Sequence, residues 1–180
     1  MHIEDLTDLA RAVDERCRLS GQFTLRSGRT ATEYFDKYLF EADPVLVSRV
    51  AAAMVPLVPA GTDLLGGLEL GGIPLVTLLS QATGIPALFV RKEPKPYGTR
   101  RAAEGGDCAG RTVTLVEDVI TTGGAVVNAA RLLRAAGATV TTVVCALDRE
   151  EPVDSLLTPA GIEVRPALTR TMLDKGRSAG

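Results

Sequence analysis

Four short apolar runs, at residues 63–68, 87–91, 112–117 and 141–147, are rich in Val, Leu and Phe and show no alternation of apolar and polar residues. A strand with one wet face alternates. Unbroken runs of this length suit strands covered on both faces, as in a parallel sheet. Segments with helical spacing lie between them, at about 73–82 and 125–136, the second closed by Gly137 as a C-cap. Strand–helix–strand order predicts an α/β domain: a central, mostly parallel sheet flanked by helices and joined by right-handed crossovers. In such sheets ligands collect at the carboxyl ends of the strands, so the loops after these runs are where chemistry is to be sought.

The 180 residues fit one domain of ordinary size, here 1–172, and 46% hydrophobic against 23% charged side chains is the balance of a folded, soluble protein. The net charge of -2 argues against a protein that lives on nucleic acid, so any polyanion site must be local. No apolar run approaches the roughly 20 residues that span a bilayer. The acidic, amphipathic start MHIEDLTDLARAVDE lacks the order of a secretory signal. Cys17, Cys108 and Cys145 are scattered and not spaced as metal ligands, which fits free thiols in a reducing compartment; a cytoplasmic protein with no membrane partner is expected. The lone histidine is His2, at the very start, so a histidine base or ligand is not expected.

Ile3, Leu6, Leu9, Ala10, Val13 and Cys17 recur at helical spacing, and Ser20-Gly21 is expected to end that helix. A polar, irregular stretch follows, and Asp43-Pro44 opens a second helix as N-cap and first-turn proline. The connection 92–111 is long and rich in Pro, Gly and charge, which in a compact domain marks a lid or binding loop. The tail at 173–180 reads as flexible.

Chemistry concentrates at Glu117-Asp118-Val119-Ile120-Thr121-Thr122-Gly123-Gly124-Ala125. An apolar strand runs into two carboxylates, then a Thr/Gly loop, then a helix. Glycines let backbone N–H groups approach an anion, the helix start adds unsatisfied donors and a positive dipole end, and threonine hydroxyls add more. That is a cradle for a phosphate monoester. The acids repel phosphate and suit neutral hydroxyls such as the cis diol of a ribose. The plainer alternative is a turn with acids placed for dipole reasons alone. The segment resembles the phosphoribosyl-pyrophosphate signature of the type I phosphoribosyltransferases. The resemblance implies that Glu117 and Asp118 hold the ribose hydroxyls while Val119, Ile120, Thr121, Thr122, Gly123, Gly124 and Ala125 wrap the 5-phosphate.

Residues 91–101 carry five cations (Arg91, Lys92, Lys95, Arg100, Arg101) against the single acid Glu93. Such density is either a solvated face or a site for a multiply charged anion, and beside a phosphate cradle a closing lid is the better account. RKEPKPYGTRRAAEG closely resembles the catalytic loop of orotate phosphoribosyltransferases. The resemblance implies that Arg91, Lys92, Lys95 and Tyr97 meet the donor's pyrophosphate, with Lys95, Lys92 and Asp118 as the catalytic groups. Relatives often have histidine at the place of Tyr97. The segment from Phe23 through Arg26 to Tyr34-Phe35-Asp36 is similar to the family's base-binding hood (1–40), implying donor contact by Arg26, where many relatives have lysine, and stacking of the base on Phe35. Thr121 and Arg149 are the implied orotate contacts; a guanidinium can grip the carboxylate in bidentate fashion. At the second pyrophosphate loop, some members have Tyr-Lys where this chain has Leu70-Gly71, so main-chain donors at Gly71 are expected to substitute. The resemblance further implies magnesium held mainly by the substrate, and a homodimer with shared active sites. A phosphoribosyltransferase for another base, or a non-catalytic donor-sensing regulator, are the rival readings.

Overall fold

A computed structural model describes residues 6–24, 28–93, 103–149 and 156–178. Helix α1 (Leu6–Cys17) is followed by an antiparallel hairpin, β1 (Arg18–Thr24) and β2 (Thr30–Phe35), then the one-turn helix α2 (Tyr38–Glu41). Helix α3 (Pro44–Met54) starts where Asp43 accepts from the N–H groups of Val45 and Leu46 at 3.0 and 3.1 Å, the cap expected of that residue. The central unit then runs β3 (Leu64–Leu68), α4 (Gly72–Thr83), β4 (Ala87–Val90), β5 (Ala103–Glu104), β6 (Thr112–Ile120), α5 (Gly124–Ala135), β7 (Thr139–Asp148), β8 (Glu163–Thr169) and α6 (Arg170–Ser178).

The six strands lie in the order β5-β4-β3-β6-β7-β8, all parallel except β5, which runs antiparallel to β4. Both faces are covered, as the unbroken apolar runs require. Leu65, Val116 and Val144 pack toward α1, α3 and α4, whereas Leu64, Leu115, Val143 and Cys145 pack toward α5. At the centre α4 sits tight on β3: a Cβ on Gly67 would lie 2.4 Å from Val76 Cγ1 and 2.7 Å from the Gly72 carbonyl.

Three expectations change. The first helix ends at Cys17, and Ser20-Gly21 belongs to β1. The hairpin is mostly exposed, so it lacks the apolar signature of a core strand. The acids Glu117 and Asp118 stand inside β6, which extends to Ile120 because its last residues pair with Leu147 and Asp148 of β7. Finally, residues 170–178 form a helix instead of a flexible tail. Leu173 is buried, Gly176 lets Arg11 of α1 approach, and Asp174 and Arg177 reach Arg18 and Glu33 of the hairpin at 3.6 and 3.5 Å. Arg18 also pairs with Asp14 at 2.6 Å and with Glu33 at 3.0 Å, tying α1, the hairpin and α6 together.

Candidate active site

The parallel strands β3, β4, β6 and β7 end on the same edge of the sheet, and Gly71, Arg91, Lys92, Thr121 to Ala125 and Arg149 follow those ends in the chain. Strand β6 delivers Glu117 and Asp118 as buried acids, 8% and 0% exposed. Then Thr121 and Thr122 turn outward and Gly123 caps α5. Gly123 has φ +82° and stands where a Cβ would lie 2.5 Å from Leu157 Cγ, so both its backbone and its surroundings call for glycine. The Leu156 N–H donates to the Thr122 carbonyl at 3.1 Å and closes the turn from behind. The first-turn N–H groups of α5 thus face the turn, as an anion cradle requires.

Arg149 follows β7, and its N–H donates to the Ile120 carbonyl at 3.0 Å. The implied base-binding pair, Thr121 and Arg149, therefore starts from adjoining strand ends. Arg91 follows β4, half-buried; its buried Nε has no partner among the described residues. Lys92 is held by its backbone: its N–H donates to Glu69 Oε1 at 2.6 Å, and Asn128 Nδ2 donates to its carbonyl at 3.1 Å. A cleft of about 40 Å³ between these strand ends and α5 is lined by Leu68, Glu69, Arg91, Lys92, Ala125 and Asn128. Phe35 ends β2, where it packs half-buried against the core, while the half-buried Phe23 and the exposed Tyr34 form the ring pair of the hairpin at 5.5 Å. Arg26, Lys95 and Tyr97 lie outside the described residues, as does His2.

Two groups that sequence reasoning missed meet the acid pair. Lys37 Nζ forms an ion pair with Asp118 Oδ2. Glu41 brings Oε1 into the same space: a Cβ on Gly71 would lie 1.5 Å from Asp118 Oδ2 and 2.8 Å from Glu41 Oε1. The Asp118 N–H donates to Glu117 Oε1 at 3.0 Å, and the Val119 N–H donates to Asp118 Oδ1. Burial, followed by the neighbouring Asp118, pushes Glu117 well above the usual carboxylate range and Glu41 to about 8. Burial pushes Asp118 the same way but is outweighed by its close polar neighbours Glu117, Lys37 and Glu41, so its pKa falls below the ordinary value. The cluster thus sets three acids against the single ammonium of Lys37, with the negative charge favoured on Asp118. The i, i+4 spacing of Lys37 and Glu41 was visible in the sequence, but such a pair reads first as a surface ion pair.

Residues 47–157 match the phosphoribosyl transferase domain family. An orotate phosphoribosyltransferase from a Nocardioides species is 64% identical over 172 residues, 96% of each chain. The chain belongs to the orotate phosphoribosyltransferase family. Another member, from Methanocella arvoryzae, is 45% identical over 81% of this chain and 83% of its own. The orotate phosphoribosyltransferase of Mycobacterium tuberculosis, solved in complex with Fe(III) dicitrate, superposes with a TM-score of 0.84 at 30% identity, covering 94% of this chain and 99% of that one. The same enzyme solved with 5-phospho-α-D-ribosyl 1-diphosphate gives 0.79 at 27% identity, with 95% and 99% covered. The expected fold class, a type I phosphoribosyltransferase fold with a mostly parallel sheet, holds.

Proposed function

We propose that this chain transfers the phosphoribosyl group of 5-phospho-α-D-ribose 1-diphosphate to N1 of orotate, yielding orotidine 5′-monophosphate and diphosphate in pyrimidine synthesis. The observation that supports this reading is the bonding of the β6 and β7 ends: the Arg149 N–H donates to the Ile120 carbonyl, so the Thr121–Ala125 turn and Arg149 leave from one strand junction. The cradle of Thr121 to Ala125 takes the 5-phosphate. Glu117 and Asp118 orient the ribose diol. The orphaned Nε of Arg91 is a ready donor to a diphosphate oxygen, and Lys92 stands beside it on a backbone fixed by Glu69 and Asn128. Thr121 and Arg149 hold orotate, with the half-buried Phe35 as its stacking surface.

As the bond to diphosphate breaks, positive charge develops on the sugar and negative charge on the leaving group. Asp118 offsets the first; Arg91, Lys92 and Lys95 favour the second. No covalent nucleophile is needed. Glu117 and Asp118 are buried and Asp118 is already paired, so these residues suit magnesium only as a companion of the donor, held by its hydroxyl and diphosphate oxygens. When bound, the ion adds charge neutralisation to the leaving group. Among the described residues no helix is long and apolar enough to cross a membrane, and the three cysteines are buried and form no disulfide, which suits work in the cytoplasm. The working unit of this reading is a homodimer whose loop 92–111 serves the neighbouring site.

The direct test is loss of orotate absorbance, with donor and magnesium omitted in turn; consumption of another base in place of orotate would refute the assignment. Lys95→Ala is expected to lower kcat about 100- to 1,000-fold with donor affinity much less affected. Mixing Lys95→Ala with Asp118→Ala protein is expected to restore activity in hybrid dimers, and no recovery would refute the shared site.

A further inference from the structure

We propose that Lys37 and Glu41, from the one-turn helix α2, are positioning residues that lock Asp118 in place and in charge for the ribose of the donor. The proposal rests on the donor-site reading above but not on the choice of base. Lys37 stands at the N-terminal end of α2 and Glu41 closes it, so the two share one face. Phe40, 1% exposed, anchors the helix in the core. That anchor fixes the shared face against the end of β6, where Lys37 Nζ meets Asp118 Oδ2 and Glu41 Oε1 comes up beside Gly71.

A carboxylate with no exposed surface, next to a second acid, ordinarily takes up a proton and stops accepting hydroxyl hydrogen bonds. Here a cation in contact opposes that outcome. The groups facing the cluster are Glu117 on the same strand, Lys37, Tyr38 and Glu41 on α2, Asp36 just before it, and the Cys145 thiol opposite Glu117 on β7. The β3–α4 turn contributes Gly71 and therefore space without charge. Lys37 is the one cation of this set. Its side chain is 33% exposed, on a flexible stem, with Nζ 5.3 Å from the Tyr38 ring centre. It is the wall that gives: a ribose diol enters by displacing the stem, while the ammonium stays close enough to keep Asp118 ionised. Glu41, protonated at neutral pH, faces the same oxygen without adding a second negative charge.

The test is calorimetric binding of the magnesium–donor complex from about pH 5.5 to about 8.5, with orotate turnover measured in parallel, since a buried unpaired carboxylate titrates within that window. Wild type is expected to hold its affinity across the acid side and weaken above about 8 as Glu41 ionises. Lys37→Met is expected to bind about 10-fold more weakly at neutral pH and to fall further toward acid, with kcat down about 100-fold, the scale of a misplaced catalytic group. Lys37→Arg is expected to recover most of both. Glu41→Gln keeps a donor but cannot ionise, so the alkaline weakening should vanish. Lys37→Met binding like wild type at every pH overturns the proposal. So does an equal, pH-independent loss in Lys37→Met and Lys37→Arg, which marks a merely structural role. If wild type binds the donor yet ignores orotate, the base assignment fails and the binding arm still decides the lock.

Discussion

Two glycine-bearing turns lie side by side at the ends of the adjacent parallel strands β3 and β6. Each leads into a helix. In the β6 turn Gly123 has a left-handed backbone, two threonines face outward, and the helix start behind them offers N–H groups. In the β3 turn Gly71 has φ −68°, which any residue adopts, yet a side chain there would collide with Asp118 and Glu41. One glycine is needed for how the chain bends and presents donors. The other is needed for what it leaves empty. Similar composition at neighbouring strand ends thus serves opposite purposes, and only the packing around each tells them apart.

Breaking the comparison should be possible from either side. The largest effect is expected from Gly71→Ala, which must push Asp118 aside: kcat should fall about 100-fold, the scale for a displaced catalytic group. Thermal melting should fall as well, because the buried Asp118–Lys37 pair must give way even though the backbone accepts alanine; a fully active variant would refute the role of that space. Gly123→Ala should act through the backbone instead. Left-handed strain of about 1–3 kcal/mol, added to the contact with Leu157, should lower the melting temperature and weaken donor binding together. Unchanged stability in that variant would show that the turn can relax. The smallest effect concerns the acid beside Gly71. Glu41 has a folded-state pKa of about 8, raised from an ordinary 4.5, so its contribution to stability is fully present below 4.5 and lost progressively as pH rises from there to about 8. Melting curves of Glu41→Gln should therefore lack part of the wild-type decline across that window; an identical decline would place Glu41 in water.

How far the sequence went follows the same division. Strands β3, β4, β6 and β7 were legible because burial on both faces leaves unbroken apolar runs. Asp43, Gly123 and the acids of β6 were legible because local chemistry places them. The hairpin was not, since its strands are exposed along most of their length. Helix α6 was not, because its polar sequence is held by Leu173 and by ion pairs to segments more than 100 residues away in the chain. Lys37 escaped for the same reason: its partner lies on β6, and nothing in the spacing of Lys37 and Glu41 tells which surface their helix meets.

The crowding at Gly71 also bears on which residues this place can accept. Any side chain at 71 evicts the Asp118 carboxylate from where Lys37 and Glu41 receive it. Residues 37, 41 and 71 therefore act as one packed unit, spread over two segments of the polypeptide. A bulkier residue at 71 alone separates the acid from both of its neighbours at once.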